Sequence, residues 1–110
     1  MSQGLNKVML IGKLGRNPEM RYTPSGRPVT TFFVVTTRER STTDGEKKKV
    51  HERFNVVTWD NLAETCSQDL ANGCLVYVEG MLQSRQWVDK EGVKHNSVEI
   101  VANEMLRLNN

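Results

Sequence analysis

Apolar and polar residues alternate through most of this chain, and that period of two predicts strands rather than helices. In Arg53-Phe54-Asn55-Val56-Val57-Thr58-Trp59 the alternation puts Arg53, Asn55, Val57 and Trp59 on one face. In Met81-Leu82-Gln83-Ser84-Arg85-Gln86-Trp87 it groups Gln83, Arg85 and Trp87. The stretch Leu5–Leu14 breaks the pattern by being apolar on both parities, with Val8, Leu10 and Leu14 on one side and Leu5, Met9 and Ile11 on the other. A strand of a small antiparallel sheet usually keeps one wet face. Apolar residues on both sides mean either deep burial or a partner subunit over the outer face, and in a chain this small the partner is favoured.

Val29–Thr37 carries the β-branched and aromatic residues that suit a pleated surface, and a further strand is expected from Val50 to Trp59. Asn17-Pro18 and Thr23-Pro24-Ser25-Gly26 supply turn chemistry around a short strand at Met20–Tyr22. Arg38–Lys49 is a charged excursion tipped by Asp44-Gly45, expected to form a mobile hairpin arm able to close over a ligand. One helix is predicted at Asn61–Asn72, with Asn61 as cap and Glu64 completing a capping box. Its residues Leu62, Cys66 and Leu70 would face the sheet, and Gly73 would end it in a left-handed turn. Two long strands, Leu75–Asp89 and Val93–Leu108, flank an Asp89-Lys90-Glu91-Gly92 turn, with Gly80 as a bulge or bend. No linker or repeat divides the chain, so residues 1–110 read as one domain. With the short segment counted in its loop, the order is three strands, one helix and two strands. That is the pattern of a mainly-β, five-stranded OB-type Greek-key barrel with a helix plugging one end.

Composition adds little until charge is divided along the chain. The net charge is +2, yet residues 1–59 hold eleven Lys/Arg against five Asp/Glu, and residues 60–110 hold four against eight. A basic first half and an acidic second half predict a basic groove on an otherwise balanced body. A run such as Lys47-Lys48-Lys49 is equally at home on a solvated loop, so charge supports this reading without carrying it. Cys66 and Cys74 form no CxxC pair, and are expected to be small buried thiols in a reducing cytoplasm. Met1-Ser2-Gln3-Gly4 shows no basic region leading into an apolar stretch, so no secretory signal is expected. No apolar run approaches the roughly 18 residues of a membrane span.

The chemistry this pattern implies is recognition, not catalysis. An indole beside a guanidinium on a polar sheet face suits an unpaired nucleobase, whose flat side stacks on the ring while its phosphate meets the cation. A single tryptophan so placed is as readily explained as a cap on the sheet edge or a ring under a loop. Two in the same arrangement favour nucleic acid. His51 and His95 have no cysteine or carboxylate cluster at metal spacing, and there is no phosphate-binding G-x-x-x-x-G-K-[ST] loop or nucleophile elbow. No catalytic residue, metal or cofactor is therefore assigned. Gly12-Lys13-Leu14-Gly15 has the GxxG form of a KH clamp but ends a strand, where bend and close packing explain it.

The run Leu5-Asn6-Lys7-Val8-Met9-Leu10-Ile11-Gly12-Lys13-Leu14-Gly15-Arg16-Asn17-Pro18-Glu19-Met20-Arg21-Tyr22, followed by Thr23-Pro24-Ser25-Gly26, resembles the opening of bacterial single-stranded DNA-binding proteins. Asn55-Val56-Val57-Thr58-Trp59 with Leu62-Ala63-Glu64 resembles the middle of that family. Val76-Tyr77-Val78-Glu79-Gly80 leading through Arg85-Gln86-Trp87 to the Asp-Lys-Glu-Gly turn resembles its later part. The likeness covers residues 4 to 108, in order. It implies OB domains assembled as homotetramers, dimers of dimers, that wrap single-stranded DNA without sequence preference. It also implies a cytoplasmic, nucleoid-associated role in replication, recombination and repair. By resemblance, Trp59 and Trp87 match base-stacking positions, and Lys7, Arg21 and Arg85 match basic positions along the DNA path. Phe54 matches a position near subunit contacts. Arg40 and Arg53 stand where the family often has stacking aromatics, and a guanidinium plane there offers both stacking and charge.

Family members usually continue into a Gly/Pro/Gln-rich linker and an acidic tip that recruits partner enzymes, whereas this sequence stops at Leu108-Asn109-Asn110. The expectation is a sequence trimmed to its folded domain, the alternative a natural tailless member. Recruitment by that route is left open. The rival function is a primosomal-type OB adaptor, binding single strands and protein partners. Trp59 and Trp87 argue against it, while Arg40 and Arg53 leave it standing. RNA is a further alternative ligand, since stacking and charge tolerate either sugar.

Overall fold

The computed structural model describes residues 3–109 and places six strands and one helix along them, as β1 (Val8–Leu14), β2 (Glu19–Tyr22), β3 (Pro28–Ser41), β4 (Lys47–Trp59), α1 (Asp60–Asp69), β5 (Leu75–Val88) and β6 (Lys94–Arg107). Met1, Ser2 and Asn110, on which the readings of the two chain ends partly rest, lie outside the described residues. The sheet runs β1-β5-β6-β4-β3-β2, and β1 also pairs with β3 through Lys13↔Val35 and Leu14↔Val34. That extra pairing closes β1, β5, β6, β4 and β3 into a five-stranded barrel, with short β2 added along β3. The OB-type barrel expected from the strand order is the fold observed. No helix among the described residues is long and apolar enough to cross a membrane.

Inward-facing residues of the strands fill the barrel: Leu14, Phe32, Val34, Val56, Val76, Val78 and Ile100 are all buried. The helix closes one end with Cys66 and Leu70 on this core, and Leu62 packs at its margin. Thr30 and Thr58 are the polar exceptions. The Thr30 hydroxyl donates to the Ala63 carbonyl at 2.7 Å, and that of Thr58 to the Thr30 carbonyl at 2.9 Å. Both buried hydroxyls are thus paired, that of Thr30 tying the helix to β3 and that of Thr58 tying β4 to β3. Cys66 and Cys74 are free and buried, and burial pushes the Cys66 thiol up to about 11.

Two glycines mark close approaches. A side chain on Gly80 would run into the Val101 carbonyl oxygen, and the β5–β6 register slips between Glu79 and Gly80. This is the bulge expected there. At Gly12 a Cβ would lie 2.5 Å from the Val35 carbonyl oxygen, where β1 crosses onto β3.

The structure corrects four details. β1 starts at Val8 rather than Leu5, because Asn6 replaces strand backbone with its side-chain amide, donating to the Leu82 carbonyl and accepting from the Leu82 amide at 2.8 and 2.9 Å. The helix is shorter, Asp60–Asp69, and the Asn61–Glu64 capping box does not form. Trp59 takes the cap position without a side-chain bond, and Asp60 enters the helix at φ +60°, one of the few non-glycine residue types that tolerate it. At the other end Leu70 turns extended to reach the core, so Gly73, at φ +86°, serves the turn into β5 rather than the helix stop. The hairpin arm expected at Arg38–Lys49 forms, but strand runs further into it than Thr37 and Val50: the β3–β4 ladder continues to Ser41↔Lys47, and the Thr42 hydroxyl at the tip meets Asp44 Oδ1 and the Glu46 carbonyl.

Candidate nucleic-acid interface

On the outer wall of the barrel, β3 and β4 face the long β5–β6 hairpin across a groove. Register explains who lines it. Val29↔Trp59, Thr31↔Val57 and Phe33↔Asn55 share one side of the β3–β4 ribbon, while Gln83↔Glu99, Arg85↔Ser97 and Trp87↔His95 share one side of the hairpin. Two hollows meet there, both bordered by Arg21, Thr31, Val57, Arg85 and Glu99. Trp87 lines one and Trp59 the other, so the two indoles bracket a continuous path.

Each indole has one face already supported. The Trp87 ring stacks on His95 with centroids 5.1 Å apart and planes 17° from parallel, and it remains 44% exposed. His95 is fixed in turn by its Nε2 contact with Asp89 Oδ2 at 2.7 Å. That bond, with the amides of Val93 and Glu91, holds the Asp89 carboxyl below the usual carboxylate range. The Arg85 guanidinium lies 6.0 Å from the Trp87 ring centre. Over Trp59, the Arg27 guanidinium sits 4.5 Å from the ring centre and binds both oxygens of Asp60 at 3.1 and 3.0 Å. The same hydrogen bonds lower Asp60 and raise Arg27 from their ordinary values. Rings held this way lose little freedom when a base arrives, which favours stacking.

The candidate residues do not all gather here. Trp59, Trp87, Arg21 and Arg85 line the path. Arg53 stands on the same face of β4, two residues from Asn55, with its guanidinium 3.7 Å from the centre of the Phe33 ring. Among the described residues, Arg21, Arg53 and Arg85 form no ion pair, leaving their charge to an incoming anion. Arg40 lies far out on the β3–β4 ribbon opposite Lys48, on the parity of Phe32 and Val34 rather than that of Phe33. Lys7 is elsewhere: it precedes β1, sits 3.6 Å from Glu79 Oε2 and borders a hollow beside Gly80 and Met81.

Sequence reasoning missed Phe33, Arg16 and Arg27. The Phe32-Phe33 doublet held the signal, because alternation forces one of two adjacent rings out of the core. Phe32 is 4% exposed and Phe33 is the outward one. Arg16 and Arg27 sit in loops, where periodicity says nothing. Two carboxylates, Glu19 and Glu99, also border the path; Glu19 pairs with Arg16 at 3.7 Å. Among the described residues no group of three His, Cys, Asp or Glu is placed to hold a metal ion.

The sequence pattern of the Single-strand binding protein family matches residues 5–108. A single-stranded DNA-binding protein of Neisseria meningitidis serogroup B is 44% identical over 104 residues, covering 94% of this chain and 60% of the relative. Single-stranded DNA-binding protein 1 of Chlorobaculum tepidum is 45% identical over 109 residues, 98% of this chain and 67% of that one. The chain thus spans about 60% of the length of the Neisseria relative. Among solved structures, a Plasmodium falciparum SSB complex with ssDNA superposes with a TM-score of 0.87 at 28% identity, covering 99% of both chains. A deletion mutant of the single-stranded DNA binding protein from Thermus aquaticus gives 0.84 at 34% identity, covering 99% of this chain and 53% of that one. Matched from residue 5 to residue 108, and so similar to these relatives along nearly its whole length, the chain belongs to the single-strand binding protein family.

Proposed function

We propose that this chain binds single-stranded DNA without sequence preference, by base stacking and phosphate neutralisation along the groove between Trp59 and Trp87. The observation that carries this reading is the pairing of two supported, outward-facing indoles with Arg21 and Arg85, which form no ion pair among the described residues, along one path. Stacking accepts any base and guanidinium–phosphate contact ignores sequence, so the ligand is defined by being single-stranded. The solved relative in complex with ssDNA supports the same reading. The Arg38–Lys49 ribbon closes over the bound strand in this scheme. The exposed apolar face of β1, with Met9 63% and Ile11 58% exposed, is covered by a second copy on the way to a tetramer. The role is a cytoplasmic, nucleoid-associated one in replication, recombination and repair, and it involves no catalysis.

One titration tests the ligand. Intrinsic tryptophan fluorescence is followed against single-stranded DNA, RNA and duplex at two salt concentrations. Quenching and tight binding are expected with the DNA single strand, weakening with salt at a slope of about −0.7 per phosphate contacted. Equal affinity for duplex, or no quenching with any single strand, overturns the proposal.

A further inference from the structure

Phe33 occupies a place in the groove that its neighbours are shaped to keep. It leaves the core because Phe32 occupies the inward position, and it lies opposite Asn55 while Arg53 lies opposite Val35. Phe33 and Arg53 are therefore diagonal neighbours on one face, a separation that only long or aromatic side chains bridge. Here the guanidinium carbon comes to 3.7 Å from the ring centre, a van der Waals contact with the ring. The Arg16 guanidinium also lies over this ring at 5.6 Å, held by Glu19. Gly15 completes the seat. A Cβ there would collide with the Phe33 ring edge, and the Gly15 amide donates to the Phe33 carbonyl at 3.3 Å. The ring is thus fixed, and Arg53, with no ion pair among the described residues, rests on it with its charge unspent.

We propose that Phe33 is a positioning residue for Arg53, holding its guanidinium against the groove wall as a flat cationic plate for one nucleotide of the single strand. The inference rests on the single-strand reading above. A free arginine loses rotamer freedom when it binds, and ring contact removes part of that loss beforehand. The plate takes a base on its open side and offers its N–H edge to the adjacent phosphate. An arginine at this point of the strand becomes a stacking group because of the ring beneath it.

The test is a double-mutant cycle read by binding of fluorescent oligo-dT over a range of salt. Phe33→Leu keeps an apolar side chain and every charge, and should weaken binding about two- to five-fold per site with an unchanged salt slope, as loss of an exposed cation–π contact implies. Arg53→Lys keeps the charge but not the plane, and should weaken binding similarly, again without changing the slope. The double variant should bind no more weakly than Arg53→Lys alone. If Phe33→Leu binds like wild type, or weakens the Arg53→Lys protein as much as it weakens wild type, the positioning role is overturned. Should Phe33→Leu lower the urea unfolding midpoint, Arg53→Lys decides alone, since it leaves the ring seated; wild-type affinity in that variant refutes the proposal. Failure of the wild-type protein to bind any single strand would instead remove the parent reading, whereas normal indole quenching with an indifferent Phe33 variant removes only this one.

Discussion

Replacing Trp87 with alanine isolates the stacking contribution, and the structure bounds its size. A base stacked on an aromatic ring is worth about 1–3 kcal/mol by alanine substitution. One face of Trp87 is already taken by His95 at 5.1 Å, so only one base can use the ring. The truncation also leaves the His95 ring, anchored to Asp89, partly able to take the base. Both points put the loss in the lower part of that range, about 1–2 kcal/mol, or roughly five- to thirty-fold per site. No charge is removed, so the salt slope should be that of wild type. Because the chain has only two tryptophans, the residual quenching on adding oligo-dT in the Trp87→Ala protein comes from Trp59 alone. Titration at several salt concentrations therefore gives two independent readings, a parallel downward displacement of log K and a smaller quench. Affinity within two-fold of wild type at every salt concentration would refute the stacking role of Trp87.

Three further outcomes follow from other parts of the molecule. Ile11→Lys places a charge on the exposed apolar face of β1 and should dissociate the oligomer in sedimentation velocity, whereas a wild-type protein already monomeric at micromolar concentration contradicts a covered face. Gly80→Ala forces a methyl group toward the Val101 carbonyl at the bulge and should cost about 1–3 kcal/mol in urea unfolding; an unchanged midpoint would show that the bulge yields freely. Asp60 is held below its ordinary value by its hydrogen bonds with Arg27, so the pair's stabilisation is complete above the unfolded value of about 3.9 and fades as pH falls through the lower folded one. Asp60→Asn should accordingly lower the unfolding midpoint at pH 7 and flatten its decline in acid, and parallel acid limbs for the two proteins would count against the pair.

Much of the barrel was readable before any coordinates. Periods of two named the strands, and Gly80 and the Asp89–Gly92 turn marked where they bend. The apolar outer face of β1 was equally legible, since alternation alone assigns Met9 and Ile11 to the side away from Leu10. Helix limits were not. A capping pattern at Asn61 is a local preference, and it gave way to a carboxylate at Asp60 drawn to Arg27, thirty-three residues earlier.

Alternation decides which side of a sheet a residue occupies, and that is why Trp59 and Trp87 could be assigned to a wet face from order alone. Which residue it meets there depends on register, twist and closure, which are properties of strands brought together from distant parts of the chain. Tertiary structure alone could pair Lys7 with Glu79, send Arg40 out along the ribbon, set His95 beneath Trp87 and bring Arg53 onto Phe33. A strand pattern carries the direction of each side chain, but the neighbour that completes its chemistry is chosen by the folded sheet.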